Sequence, residues 1–316
     1  MSHDAGTRRW IPARPPRACT PMFHVKRRLS RIRDGVSRET SIGCGIGVPS
    51  SDGDDAGDDA GDDRRGCDDD DMPSEPSNHP PGRDPEVGVG RSASVPSPPA
   101  VAEQVFAQRL AVAEQFAAHL ADTGISHGLI GPREVPRLWE RHILNCAVIA
   151  EVIPQGASVI DVGSGAGLPG LALAVARPDL TVTLVEPMER RTTWLETVRD
   201  DLALDSVVIV RARAEELHGK LTADVVTARA VAALDKLARW CLPLVEPGGR
   251  LVAMKGSSAP REITAAAKTV RRLGGEPARI VECGRDVVDP PTTVVIVDKP
   301  ISHVQRGKHR AGRWNL

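Results

Sequence analysis

"VIDVGSGAGLPG", residues 159–170, runs an apolar, β-branched stretch straight into a loop carrying Gly163, Gly165, Gly167 and Gly170. Glycines placed there let the backbone turn tightly and approach a ligand with no Cβ atoms in the way. Working outward, "SVIDVG", "TVTLVE", "VVIVRA", "DVVTAR" and "RLVAMK" are short apolar runs separated by helical patterns, followed by "RIVEC" and "TTVVIVD" joined through a Pro-containing loop. Continuous apolar strands alternating with helices predict a mostly parallel sheet covered on both faces, and the last two runs predict an antiparallel pair at one edge. The fold class is α/β, a Rossmann-like, doubly wound, mostly parallel seven-stranded sheet with N-terminal helices. Its ligand is expected at the carboxyl ends of the central strands.

Upstream of the sheet, residues 101–122 predict one amphipathic helix, with Phe106, Leu110, Phe116 and Leu120 recurring near the helical period and Gly124 placed to stop it. A second helical stretch, "VPRLWERHILNCAVIAEVI", lies between Pro132 and Pro154.

The chain has 316 residues and a net charge of −1, which hides two opposed blocks. Residues 1–100 are rich in Pro, Gly, Ser, Arg and Asp, with almost no apolar periodicity, and are expected to form a disordered low-complexity extension. Within it, "DGDDAGDDAGDDRRGCDDDD" at 52–71 reads as a solvated acidic spacer. Residues 101–300 suffice for one α/β domain, and 301–316 form a basic tail. There Arg306, Lys308, Arg310 and Arg313 fit either a phosphate track or a plain solvated end. Cys19, Cys44, Cys67, Cys146, Cys241 and Cys283 show no CxxC pair and no His cluster at ligand spacing, which argues against a disulfide framework and against a metal site. No apolar stretch reaches membrane-spanning length and no signal peptide is evident, so a cytoplasmic protein without a membrane partner is expected.

The glycine loop narrows the ligand. A dinucleotide-binding GxGxxG starting at Gly163 requires glycine at 168, where Leu168 stands, which weakens the nicotinamide reading. Acid-x-Gly-x-Gly-x-Gly does fit, with Asp161 as the acid, and this resembles the pattern of class I methyltransferases that use S-adenosylmethionine. A carboxylate beside the turn takes up the cationic amino-acid end of that donor, and no pyrophosphate has to be cradled. Glu186, ending the next strand, stands where an acid accepts both ribose hydroxyls, with a helix-capping role as the alternative. In this fold the loop after the third strand meets the adenine, so "RAEE" offers Ala214 and Glu215 as contacts.

"RHILNC", "DVGSGAGLPG", "VEPMERRTTWL", "RAEE", "TARAVAAL" and "PGGRLVAMKG", in that order and spacing, resemble the bacterial small-subunit ribosomal RNA methyltransferase G family, also called glucose-inhibited division protein B, over about residues 101–300. The resemblance implies S-adenosylmethionine as cofactor and methylation of guanine N7 in a conserved loop of 16S rRNA near the decoding centre. The substrate is then 16S rRNA or the small ribosomal subunit, and a monomer is expected. Carried over by motif, Gly163, Leu168, Ala214, Glu215 and Arg229 contact the donor, together with Asp161, Gly165, Gly167 and Glu186. Arg229 orients the donor or a phosphate, or else forms a structural salt bridge. The RNA-contact candidates are Arg141, His142, Arg190, Arg191 and Lys255; packing explains His142 equally well, and an exposed helix face explains Arg190 and Arg191. "RHILNC" departs from the family, which usually has Asp-Ser at Asn145 and Cys146.

Two absences point the same way. There is no Asp/Asn-Pro-Pro-aromatic motif to grip an exocyclic amine, and Cys241 falls inside a helical pattern as a core thiol rather than at a strand end as a nucleophile. A ring nitrogen fits both, and it predicts a transfer rate flat from about pH 6.5 to 8.5, because no general base is needed. Two other classes remain. A small-molecule methyltransferase predicts an aromatic acceptor pocket, against 0 Tyr and 3 Phe; an RNA-binding assembly factor predicts a broken donor loop. "MFHVK" (22–26) and "VSRET" (36–40) are both encodable by TTTCACGTGAAA in different frames, a palindrome resembling the bacterial chromosome-partition site. Genes of this family often neighbour partition genes, so part of the N-terminal segment is expected to be translated intergenic DNA, with Met72 a candidate start.

Overall fold

The computed structural model describes residues 95–301 apart from 230 and 231. The acidic run, Met72, Cys19, Cys44, Cys67, both palindrome-encodable peptides and the basic residues from Arg306 onward lie outside the described residues.

Seven strands, β1 (Ser158–Val162), β2 (Thr181–Val185), β3 (Val207–Val210), β4 (Ala223–Arg229), β5 (Val245–Met254), β6 (Arg279–Cys283) and β7 (Thr292–Asp298), form one sheet in the order β3-β2-β1-β4-β5-β7-β6. β1 to β5 pair in parallel with their neighbours, and β7 inserts antiparallel between β5 and β6. This is the order of a class I methyltransferase sheet. Strand order reverses between β1 and β4, so the carboxyl ends of those two strands flank the switch-point crevice where open α/β sheets hold ligands.

Successive strand residues serve opposite faces, which is why the runs read as continuously apolar. Val159, Val182, Val225 and Val252 pack with α1 (Ala100–Phe106), α2 (Leu110–Ala121), α3 (Gly170–Ala176) and α4 (Glu189–Asp201). Ile160, Val185, Val226 and Leu251 pack on the other face with α5 (Leu234–Cys241) and α6 (Ala259–Arg272).

The N-terminal region departs from one straight helix. In an unbroken helix of roughly 3.6 residues per turn, Phe106 and Phe116 would point about 80° apart. Ala107 at φ +46° interrupts the ladder and resets the phase, so both phenyl rings are buried and Phe106 meets Trp139 edge-on at 6.4 Å. Gly124 is not the stop, since α2 ends at Ala121. Its lack of a side chain serves packing: a Cβ there would lie 3.3 Å from the His119 carbonyl and 3.7 Å from Trp194. The second stretch is helical but changes winding, with a 3-10 turn over Pro132–Arg137, a π-helix over Leu138–Leu144, then Asn145–Ala147 and a 3-10 turn over Val148–Val152. Pro136 has no amide to donate, so a regular α ladder cannot run through it.

Candidate donor and substrate site

The loop after β1 hooks onto β2. Gly163, Gly165 and Gly167 take φ of +72°, +52° and +76°, the left-handed region where a side chain is strained. The amides of Gly163 and Ser164 donate to the Val185 carbonyl at 2.8 and 3.3 Å, and the Gly165 amide donates to Glu186 Oε2 at 3.0 Å. Ser164 closes the turn by donating from Oγ to the Asp161 carbonyl at 2.9 Å. Gly170, first residue of α3, donates its amide to Asp161 Oδ2 at 2.9 Å; a Cβ there would strike Leu184 and come within 2.7 Å of that same oxygen. Ser164 and the tight seat of Gly170 are site features that loop spacing did not single out.

Asp161 is fully buried, and among the described residues its Oδ1 has no hydrogen-bond partner. Burial pushes its pKa up to about 7; the Gly170 amide and the Arg229 charge oppose the shift, and Glu186 adds to it. A buried carboxylate oxygen lacking a donor fits the ammonium of an amino-acid ligand, which is the end of S-adenosylmethionine expected here. Glu186, also buried, accepts the Gly165 amide on Oε2 and the Met188 amide on Oε1 at 3.1 Å, with Arg191 Nη1 at 3.6 Å. It therefore ties the loop to the start of α4, and each oxygen retains a lone pair for a ribose hydroxyl. Leu168 and Ala214 are buried and Glu215 is exposed, the last two on a 3-10 turn, Ala214–Leu217, after β3. The candidate donor contacts thus line up along the carboxyl edge of β1, β2 and β3.

Across the switch point, Arg229 at the end of β4 reaches back to the N-terminal helical segment. Its Nη1 donates to Cys146 Sγ at 3.0 Å, and its Nη2 stands 2.7 Å from His142 Nδ1 and 3.4 Å from the Arg141 carbonyl. His142 Nε2 lies 2.8 Å from Glu134 Oε2, and Arg141 Nε lies 3.4 Å from the same oxygen. Burial lowers the His142 pKa, the Arg229 charge reinforcing it and Glu134 opposing it, while burial raises the Cys146 thiol to about 11. Cys146 is therefore a neutral acceptor for Arg229, and Asn145 anchors β7 by accepting Thr292 Oγ1 on its carbonyl at 3.1 Å.

With this geometry in view, a scan against protein families matches residues 109–289 to GidB, the rRNA small subunit methyltransferase G. The chain belongs to that family. It is 56% identical over 201 residues to a ribosomal RNA small subunit methyltransferase G of Paenarthrobacter aurescens (strain TC1), covering 63% of this chain and 93% of that one. It is 59% identical over 202 residues to one of Salinispora tropica, covering 61% and 83%. Among solved structures, a methyltransferase from Pyrococcus furiosus aligns at 15% identity with a TM-score of 0.41, covering 50% of this chain and 83% of that one.

The remaining candidates of this methyltransferase G family member occupy two kinds of place. Arg190 is exposed and Arg141 is 55% exposed in its side chain, so both are open to RNA, whereas His142 has both ring nitrogens engaged. Arg191 is half-buried beside Glu186, and among the described residues its buried Nε has no partner. Lys255 is drawn inward. Its side chain is 9% exposed, and Nζ pairs with Glu262 Oε2 at 2.7 Å and donates to the Ala232 carbonyl at 2.5 Å. Glu262 further accepts the Leu234 amide at 2.8 Å and Ser258 Oγ at 2.6 Å, so Lys255 clamps the β4–α5 loop to α6. Cys241 is a buried free thiol within α5. Among the described residues no three His, Cys, Asp or Glu side chains gather to hold a metal ion, and no helix is long and apolar enough to cross a membrane.

Proposed function

We propose that this chain methylates guanine N7 of 16S rRNA, using S-adenosylmethionine as donor. The observation that carries the reading is the buried Asp161, one hydrogen-bond donor short, beneath a glycine loop that Glu186 ties to β2 at the switch point. When bound, S-adenosylmethionine supplies a sulfonium-activated methyl group. Asp161 holds its cationic end, Glu186 its ribose hydroxyls, and Ala214 and Glu215 flank the adenine. Guanine N7 offers an exposed lone pair and has no proton to lose, so the chain needs no general base. Its residues contribute alignment, which is worth roughly 7–11 kcal/mol when reactants are held near attack geometry. Arg229, Arg190, Arg191 and Arg141 supply the positive edge along which a polyanion docks.

Residues 101–300 constitute the catalytic domain in this reading, working as a monomer in the cytoplasm, where ribosomal subunits are made. The test is transfer of a tritiated methyl from the donor to small subunits isolated from cells lacking the gene. Stoichiometric label in 16S rRNA supports the reading. Label confined to small molecules or ribosomal protein contradicts it.

A further inference from the structure

A guanidinium has only donors, so where Arg229 Nη2 meets His142 Nδ1 at 2.7 Å the ring nitrogen must accept. The imidazole is therefore neutral and carries its proton on Nε2, which donates to Glu134 Oε2 at 2.8 Å. Nη2 also reaches the Arg141 carbonyl and Nη1 reaches Cys146, which leaves the Nε–H and the second Nη1–H without a partner among the described residues. Arg141 and His142 both lie in the π winding over Leu138–Leu144, from which a backbone carbonyl and the next side chain meet one guanidinium. As glue this arrangement is poor: partly buried ion networks are often no better for stability than apolar packing of the same volume. As a device for fixing one side chain it is effective, since every hydrogen bond in it has a single direction.

We propose that Glu134 and His142 are positioning residues, resting on the functional reading above. Acting through Arg229, they fix its guanidinium at the end of β4 so that one of the two remaining N–H groups donates to an oxygen of the incoming guanine nucleotide. His142 is thus a tautomer-locked acceptor rather than an RNA contact. The charged and titratable groups around it are Glu134 and Arg141 on its own segment, Cys146 one turn on, Arg229 from β4, and Asp161 on β1, whose charge reaches Arg229. Protonating His142 turns Nδ1 into a donor facing Arg229, so the contact opens on the acid side.

The experiment measures kcat and KM on small subunits with saturating donor, alongside calorimetric donor affinity and thermal melting, for His142→Leu, His142→Asn and Glu134→Gln. His142→Leu should lower kcat on the order of a hundredfold, the usual scale for misplacing an aligned group, with donor affinity and melting near the parent. Asn presents its carbonyl oxygen near the place of Nδ1, so His142→Asn should recover to within about tenfold of the parent and lose the acid limb of the pH profile. Parent-like kcat in His142→Leu, or a kcat loss that tracks melting and is not relieved by Asn, overturns the proposal. Nitrogen-15 NMR of the parent gives a check that needs no variant: His142 must show a protonated Nε2 and a bare Nδ1, and the opposite tautomer overturns the proposal outright. If the parent itself transfers no methyl to the subunit, the functional reading fails, and the tautomer alone then judges the geometry.

Discussion

Asp161 joins burial, charge and ligand in one carboxyl group. Its pKa stands at about 7 because the surrounding core penalises the ionised form. A cationic ligand prefers that ionised form, so affinity for S-adenosylmethionine should rise with pH up to about 7 and level off above it. Calorimetry at pH 6 and pH 8 should differ by about tenfold in Kd, the ratio that a one-unit displacement from such a pKa produces. Asp161→Asn keeps an acceptor for the Gly170 amide but not the charge. It should weaken donor binding about 10- to 100-fold, the worth of a hydrogen bond to a charged group, and flatten the pH dependence. The flat rate expected from guanine N7 chemistry then applies at saturating donor, where the Asp161 titration no longer limits binding. Gly170→Ala tests the same residue from the other side. Its Cβ would displace Asp161 and Leu184, and denaturant unfolding should show about 1–3 kcal/mol of overpacking cost.

Elements explain which candidates turned inward. Lys255, immediately after β5 and a candidate RNA contact, turns its ammonium to Glu262 and the Ala232 carbonyl, joining the loop after β4 to α6. Lys255→Met should cost about 2–3 kcal/mol in unfolding free energy, below the 3–5 of a fully isolated buried partner because Glu262 keeps Ser258 and the Leu234 amide. Unchanged stability with a weakened KM for RNA would instead support a phosphate contact. The geometry of the candidate donor loop was legible because it is local: an apolar run, glycine spacing and an acid at the next strand end encode one turn that closes onto β2. The cluster that gathers around Arg229 was not. Arg229 and His142 stand 87 residues apart and Arg229 and Cys146 stand 83 apart, so no spacing rule announces their contact. The change of winding at Leu138 was equally hidden, since periodicity registers a helical stretch but not whether it closes as 3-10, α or π.

At the scale of the molecule, the alternation of strands and helices encoded the layered sheet and its antiparallel edge, whereas the break at Ala107 depended on tertiary packing around Trp139. The same residue limits how much of the chain can be removed. Trp139 Nε1 donates to the Pro96 carbonyl at 2.8 Å from a nearly buried indole. A chain starting at Met72 should keep parent activity and melting. One starting at Ala100 should leave that donor unpaired at about 1–3 kcal/mol, read as a melting fall of about 2–4 °C per kcal/mol. The central claim, that this methyltransferase G family member modifies guanine N7 of 16S rRNA, is tested most directly by mass spectrometry of nucleosides from 16S rRNA with and without the gene. The account predicts that one 7-methylguanosine per 16S molecule disappears with the gene and returns with the parent chain but not with Gly163→Arg, whose side chain would occupy the donor loop. An unchanged 7-methylguanosine content, or the loss of a different methylated nucleoside, would contradict it.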